Sequence, residues 1–136
     1  MAHYVTTIQS HLPAEAAFEY MADFTNSRFW DPSVSSAVRD GEGFALVSKF
    51  AGKDVPLRYE VVTLEPPRLV VLEAKQPSFT SRDTITVEPD GEGSRVHYDA
   101  RLEFSGARKA LDPLMQLFFN RVGAKAAAGM TAALNP

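Results

Sequence analysis

The pattern of apolar and polar positions divides the chain into three parts, and the first part mixes a strand with short helices. Apolar and polar side chains alternate from His3 to Ser10, and several are beta-branched, which predicts a strand. Pro13 then opens the segment PAEAAFEYMAD, whose apolar residues recur at helical spacing and predict a short helix. Another brief helical turn is predicted from Thr25 to Trp30. Pro32 ends this turn, because a residue before proline avoids helical dihedral angles.

The middle part, from Val34 to Phe104, alternates between strand patterns and turns. The turns are rich in Gly, Pro and Asp, which supply the backbone angles of tight reversals. They fall at residues 40–43, 52–54, 66–67, 76–78 and 89–93. The intervals have hairpin length and therefore predict antiparallel pairing of consecutive strands. With the N-terminal strand, the count is about seven strands.

The last part, from Ala107 to Leu134, has the apolar spacing of one long helix, which would span on the order of 40 Å. The predicted inner stripe is Leu111, Met115, Phe118, Val122, Ala126, Gly129 and Ala133. Asp112 and Pro113 interrupt the pattern. Either the helix begins at Pro113 with Asp112 as its cap, or its first turn is kinked there. The helical pattern before Asp112 favours the kink.

The strand RVHYDARLEF shows which side of the sheet faces the core. Its inward positions are Val96, Tyr98, Ala100, Leu102 and Phe104, and the alternate positions are charged or polar. The sheet therefore has one dry face and one wet face, and the long helix supplies the apolar stripe that covers the dry one. These patterns predict an α+β architecture: a seven-stranded curved antiparallel sheet around one long C-terminal helix, with two short helices after the first strand.

Polar residues at inward positions indicate that the space between helix and sheet is not simply filled. In SFTSRDTITVE, the alternation that places Ile85 inward also places Ser81 and Asp83 inward. Ser48 lies between Leu46 and Phe50 in the same way. An inward carboxylate is costly unless it is paired or wetted by a cavity, and scattered polar groups on an apolar wall are typical of a small-molecule pocket.

Alternative interpretations of these polar residues stay open. Ser48 and Ser81 would also be explained by hydrogen bonds to backbone groups at strand ends. Asp83 would also be explained by an ion pair with Arg58 or Arg82, or by a bulge that turns it outward.

Length, charge and cysteine content narrow the class of protein. The 136 residues fit one domain, residues 1–136, large enough to bury a core. The absence of cysteine excludes disulfides and thiolate chemistry. A net charge of −3 with scattered basic residues argues against a nucleic-acid partner. The N-terminal segment lacks the pattern of a signal peptide and no apolar run reaches the length of a membrane span, so we expect a cytoplasmic protein without stable membrane insertion.

The histidines offer little chemistry. His97 lies two residues from Asp99, as a base and its orienting partner would, but both are predicted on the wet face, where solvated side chains are the simpler interpretation. His3 and His11 have no partner at metal-ligand spacing. No phosphate-binding loop or nucleophile motif occurs. We expect no metal and no cofactor.

The order of elements resembles the helix-grip fold of START-like proteins, and most closely their bacterial polyketide cyclase/dehydrase and lipid-transport branch. The segments that carry the resemblance are FWDPSV, RYEVVTLEPPRLVV and TITVEPDGEGSRVHYDARLEF. The resemblance covers essentially the whole chain. It implies a cavity between sheet and long helix that binds a hydrophobic or aromatic molecule, whereas fold alone does not imply a reaction.

Three functions follow as hypotheses: a binding protein for a lipid, isoprenoid or polyketide; a polyketide cyclase or dehydratase; and an interaction module or homodimer whose cavity has collapsed. For the enzyme, Asp83 and Tyr59 are the candidate catalytic groups. For the interaction module, Leu114, Leu117 and Phe119 lie off the inner stripe. The candidate ligand-binding residues are Trp30, Phe29, Phe44, Leu46, Ser48, Tyr59, Ser81, Asp83, Tyr98, Met115, Phe118 and Val122. Trp30 either lines the pocket, with its indole N–H partnered, or only packs; Phe29 is the alternative inward ring.

Overall fold

The computed structural model describes residues 1–50, 52–106 and 112–136, without the side chain of Asp112. The elements in chain order are β1 (Ala2–Ser10), α1 (Ala14–Ala22), a 3₁₀ turn (Phe24–Asn26), α2 (Ser27–Trp30), β2 (Val34–Asp40), β3 (Gly43–Phe50), β4 (Lys53–Glu65), β5 (Leu69–Lys75), β6 (Phe79–Asp90), β7 (Gly93–Phe104) and α3 (Asp112–Ala133). This order confirms the predicted α+β helix-grip architecture.

The seven strands form one antiparallel sheet in the order β1-β7-β6-β5-β4-β3-β2. Five consecutive pairs, from β2/β3 to β6/β7, are hairpin neighbours, and β1 pairs with β7. Gly41 and Gly91 have φ values of 62° and 61° in the β2–β3 and β6–β7 turns, where a side chain would be strained. The register shifts within β2 and within β4, which bends the sheet around its dry face.

The two faces of the sheet are as the alternation predicts. The inward residues of β7, from Val96 to Phe104, are all at most 6% exposed, as are Ile85 and Val87 of β6. Arg101 and Glu103 lie on the outer face and are exposed. A slip of one residue would move this whole apolar set into water, so the burial pattern fixes the register.

Helix α3 lies against β1 and covers the dry face. The buried anchors are Ala126 and Met130 of α3 and Leu134 directly after it, spaced four residues apart. Met130 and Leu134 were not in the predicted stripe. The predicted segment from Ala107 to Leu111, with the stripe residue Leu111 and the choice between a cap and a kink, lies outside the described residues.

Two glycines let α3 approach its neighbours. A Cβ on Gly129 would overlap the carbonyl oxygen of Trp30, and a Cβ on Gly123 would overlap the ring of Tyr4. The helix can therefore lie directly on α2 and β1 at these points, although glycine costs about 1 kcal/mol within a helix relative to alanine.

Candidate functional site

A cavity of about 100 Å³ lies between the inner face of the sheet and α3. The turn after α2 and strands β3, β4, β6 and β7 contribute to its wall, and α3 closes it. The wall is mainly apolar, and it also carries hydroxyl, carboxyl and ammonium groups. The cavity has two chemically different ends. Inward residues along a strand are about 7 Å apart, so different positions along β6 line different ends.

The apolar end is built of phenylalanine rings. Phe79 of β6 stacks on Phe50 of β3 with centroids 6.3 Å apart, and Phe118 of α3 meets Phe50 edge-on at 5.3 Å. Phe119 and Leu102 also line this end. Such edge-to-face and offset pairs add about 0.5–1.5 kcal/mol each beyond burial, so they fix the position of α3 over the sheet.

The polar end is built of hydroxyl and carboxyl groups. The hydroxyl oxygens of Tyr59 and Ser81 lie 2.9 Å apart in a hydrogen bond, and the Tyr98 hydroxyl donates to Oδ2 of Asp83 at 3.0 Å. All four residues are buried. The strand register explains this arrangement. Asp83 of β6 is paired with Ala100 of β7, and Tyr98 is the adjacent inward residue of β7, so Tyr98 is the diagonal neighbour of Asp83.

Asp31 contributes a second carboxyl group to the cavity wall. It follows α2, where the backbone turns extended before Pro32, with φ −110° and ψ 106°. Its Oδ1 accepts from the backbone N–H of Ser33 at 2.9 Å and from the Ser33 hydroxyl at 2.7 Å, a local loop that fixes the carboxyl group. From its position before Pro32, Asp31 is predicted only to end the helical turn.

Burial controls the ionisation of these groups. Burial is the main cause that raises the pKa of Asp83 to about 7. The negative charges of Asp31 and Asp99 also raise this pKa, whereas the hydrogen bond from Tyr98 lowers it. Burial also raises the pKa of Asp31, while the hydrogen bonds from Ser33 lower it. The pKa values of Tyr59 and Tyr98 are raised well above 10 by burial and by the nearby Asp83, so both hydroxyls stay protonated.

Seven of the predicted binding residues lie on the cavity wall. They are Ser48, Tyr59, Ser81, Asp83, Tyr98, Phe118 and Val122. Both alternatives for Asp83 are wrong: Arg58 pairs with Asp40 and Glu60, Arg82 pairs with Glu73, and Asp83 itself is 6% exposed. The alternative for Ser81 is also wrong, because its partner is a side-chain hydroxyl.

The aromatic residues of α2 do not line the cavity. Trp30 is 2% exposed and packs edge-on against Phe24 and Tyr98, with centroids 6.1 and 5.5 Å apart. Its Nε1 has no hydrogen-bond partner within the described part of the chain, whereas a pocket-lining Trp30 was expected to have one. Phe29 points to solvent with 63% exposure, beneath the guanidinium of Arg28. Successive positions of one helical turn point about 100° apart, so only one of the two rings can face the core. Trp30 is thus a packing residue, and Phe29 is not the inward ring.

Three other predicted lining residues lie elsewhere. Phe44 and Leu46 are 3% exposed, packed in the core rather than against the cavity. Met115 borders an apolar surface groove beside the N-terminal half of α3, together with Leu114, Leu117, Phe118 and Phe50. The alternation along β3 correctly predicted that Phe44 and Leu46 face the core, but it did not show how far each residue lies from the cavity.

Two of the three residues predicted to lie off the inner stripe of the long helix are exposed. Leu114 and Leu117 are 65% and 66% exposed, whereas Phe119 turns inward and lines the cavity. Several lining residues were missed: Asp31, Phe79, Ala100 and Phe119. Phe79 and Ala100 occupy inward positions in the alternation, so the same pattern would have found them.

The histidines form hydrogen bonds on the outer face. His97 contacts Thr7 through Nδ1 at 3.0 Å and Glu88 through Nε2 at 3.0 Å, and Nε2 of His3 contacts Asp99 at 2.9 Å. Among the described residues, no group of three or more His, Cys, Asp or Glu side chains is placed to hold a metal ion. None of the described helices has the combined length and apolar character that a membrane span needs.

Comparison with known proteins gives a match over the whole chain. The family model described as polyketide cyclase / dehydrase and lipid transport matches residues 1–135. No curated protein matches the sequence. Solved structures with the same fold include a START superfamily protein from Mycobacterium smegmatis, with 13% identity, 98% of this chain and 97% of that chain covered, and a TM-score of 0.80.

Two further structures show the same architecture. The Zhui aromatase/cyclase from Streptomyces sp. R1128 has 13% identity, 97% and 92% coverage of the two chains and a TM-score of 0.78. A protein from Thermus thermophilus has 20% identity, 97% coverage of both chains and a TM-score of 0.66. At these identities the likeness establishes the fold alone.

Proposed function

The chain belongs to the polyketide cyclase/dehydrase and lipid transport family, and from this premise we propose that it binds a small hydrophobic or aromatic molecule in the cavity between the sheet and α3. The observation that carries the proposal is an interior cavity with a phenylalanine-lined apolar end and a hydroxyl- and carboxyl-lined polar end. An apolar wall with a few convergent polar groups is the usual form of a small-molecule site.

The volume of the cavity limits the size of the guest. About 100 Å³ is below the range of about 300–1,000 Å³ that drug-sized ligands occupy, and closer to the cavity of about 150 Å³ that accepts benzene. We therefore expect a single ring to fit with small adjustments. A longer acyl or polyketide chain requires Phe118 and Phe119 of α3 to move away from the sheet.

Trp30 provides the measurement that tests binding. Its ring packs on Tyr98, whose hydroxyl end lies in the cavity wall, and it is the single tryptophan of the sequence. A guest in the cavity should change Trp30 emission in a saturable way. Single-ring alcohols and amines are suitable probes because they match both ends of the cavity.

A variant with a filled cavity is expected not to bind the probes. Ala100 lies on the cavity wall, and Ala100→Leu places a larger side chain in that space. Ala128→Leu is the control, because Ala128 is exposed on α3. The proposal requires that Ala100→Leu abolish the emission change while Ala128→Leu retains it. Equal responses of the two variants, or no response of the wild type to any probe, would contradict it.

Catalysis is the second candidate function, and the buried carboxyl group of Asp83 favours it. With a pKa of about 7, this group can both accept and donate a proton near neutral pH, as cyclisation with loss of water requires. Asp83 as a base would take a proton from a carbon next to a carbonyl, and as an acid it would return that proton to the departing hydroxyl group. Tyr59, held by Ser81, is the candidate donor to the carbonyl oxygen.

The test of the catalytic candidate is a product profile. A linear polyketide-type substrate should give a cyclised, dehydrated product with wild-type protein and with Ala128→Leu, and at least roughly tenfold less with Asp83→Asn. Identical product profiles for the wild type and Asp83→Asn would show that this carboxyl group takes no part in the reaction.

Cytoplasmic location, the absence of a nucleic-acid partner and a homodimer stay predictions.

A further inference from the structure

Among the residues that the structure describes, each of the two carboxyl groups of the cavity has a hydrogen-bond donor on one oxygen only. Oδ2 of Asp83 accepts from Tyr98, and Oδ1 of Asp31 accepts twice from Ser33. Within the described part of the chain, the other oxygen of each group has no hydrogen-bond partner. Both side chains line the same cavity. The charge of Asp31 is one of the smaller causes that raise the pKa of Asp83.

At this end of the cavity, the residues that the structure describes provide no compensating positive charge. Among the described lining residues, the basic side chain is Lys49, which is 64% exposed and lies 3.6 Å from the carboxylate of Asp54. Its charge is therefore at the surface and already paired. Two neighbouring carboxyl groups in an apolar site without a cation cannot both ionise without a large energetic cost.

Aromatic rings line the same cavity as the carboxyl groups. Tyr59 and Tyr98 line the cavity together with Asp31 and Asp83, and the ring of Phe79 lies on β6 two inward positions away from Asp83. Carboxylates combined with aromatic rings are the groups that recognise an organic cation, through charge-assisted hydrogen bonds and through the electron-rich ring faces.

We propose that the ligand of this cavity is a small aromatic amine, whose protonated nitrogen lies between Asp31 and Asp83 and whose ring lies among the phenylalanines. The proposal rests on the proposed function, and it specifies the chemical class of the guest. An ammonium group has three N–H donors, which suits two free carboxyl oxygens. A ligand carboxylate would add a further negative group to this site, and a neutral ligand would form no charge-assisted hydrogen bond with either acid.

Matched probes separate the classes. Benzylamine, benzyl alcohol and benzoate share one ring and differ in charge and hydrogen-bonding group. Calorimetric titration at about pH 7.5 should give benzylamine a Kd at least roughly tenfold below that of benzyl alcohol, with no measurable binding of benzoate. Asp31→Asn and Asp83→Asn should each weaken benzylamine at least roughly tenfold and change benzyl alcohol less than about threefold.

The outcomes distinguish this inference from the proposed function. If benzyl alcohol binds as tightly as benzylamine, or if both Asn variants retain benzylamine affinity, the amine assignment is wrong and cavity binding stands. If none of the probes binds to the wild type, both are wrong. Folding of the variants is checked by thermal unfolding, and Glu103→Gln, which removes an exposed carboxylate on the outer face of the sheet, is the control for a change in net charge.

Discussion

The hydroxyl group of Tyr98 donates a hydrogen bond of 3.0 Å to Oδ2 of Asp83 in the interior of the protein. Tyr98 is on β7 and Asp83 is on β6, and both side chains point to the dry face of the sheet. This pair joins the core, where the Tyr98 ring packs on Trp30, to the cavity wall, where the carboxyl group is accessible to a guest.

Removal of the Tyr98 hydroxyl should weaken the fold. Tyr98→Phe leaves Asp83 without this donor, and we expect a loss of about 1 kcal/mol in the free energy of unfolding at pH 7. The pKa of Asp83 should rise further, because the hydrogen bond from Tyr98 lowers it. Urea denaturation measures the first effect, and carboxyl ¹³C NMR titration measures the second.

Tyr20→Phe is the control for this experiment. Tyr20 is half-buried, and among the described residues its hydroxyl has no hydrogen-bond partner. Its removal should therefore change stability by less than about 0.5 kcal/mol. Equal losses for the two variants would show that the Tyr98–Asp83 hydrogen bond is not a specific stabilising interaction.

Asp83 should make the folded state less stable as pH rises. Its pKa is about 7 in the folded protein and near 3.8 in an unfolded chain. Between these values the folded state binds more protons than the unfolded state, so the free energy of unfolding falls with increasing pH. At about 1.4 kcal/mol for each pKa unit, the loss is on the order of 4 kcal/mol above pH 7. The raised pKa of Asp31 acts in the same direction.

Asp83→Asn should remove this contribution, because asparagine does not ionise. The stability difference between Asp83→Asn and the wild type should grow in favour of the variant from about pH 4 to about pH 8, measured by urea denaturation at each pH. Asp54→Asn, at a carboxylate that is 64% exposed, should show no such growth. A difference that is constant over this range would mean that Asp83 ionises normally in the folded protein.

Gly129 should not tolerate a side chain. A Cβ at this position would overlap the carbonyl oxygen of Trp30, which is backbone and cannot rotate away. Gly129→Ala should therefore lower the free energy of unfolding by about 2 kcal/mol or more, although alanine favours helix by about 1 kcal/mol. Gly123→Ala should cost less, because its obstacle is the Tyr4 side chain. An increase in melting temperature for Gly129→Ala would contradict the close approach of α3 to α2.

Phe118 should limit the size of the guest. Its ring lies edge-on to Phe50 and closes the apolar end of the cavity from α3. Phe118→Ala should increase the affinity for a two-ring ligand, such as naphthylmethylamine, relative to benzylamine by at least roughly tenfold. Leu117→Ala is the control, at a neighbouring residue that is 66% exposed. The same preference in both variants would mean that Phe118 does not close the cavity.

The fold was largely predictable from the sequence because apolar residues recur at the regular spacing of strands and helices. In β7 every second residue from Val96 to Phe104 is buried, and one strand of this kind fixes the dry face for the whole sheet. The turns are equally local: Gly41 and Gly91 adopt the positive φ values that their sequences predict. These features depend on nearest neighbours, which a sequence shows directly.

The site was less predictable because it depends on distances between elements. Trp30 packs in the core and Phe29 lies in solvent, and the spacing of the two residues does not indicate which ring turns inward. Asp31 lines the cavity because α2 places it there, beside residues of β6 and β7 that are far away in the chain. Alternation likewise put Phe44 and Leu46 on the correct face without showing that the cavity lies further along β3.

NMR titration of the methyl groups of Ala100, Val122 and Ala126 with benzylamine and with benzyl alcohol tests cavity binding most directly, because these methyls lie on the wall. Occupation of the cavity predicts saturable shifts of all three signals with at least one probe, and contacts from the probe ring to these methyls. The signals of Val122 and Ala126 should not respond in Ala100→Leu. Shifts confined to exposed Leu114 and Leu117, with the three cavity methyls unchanged, would contradict the account.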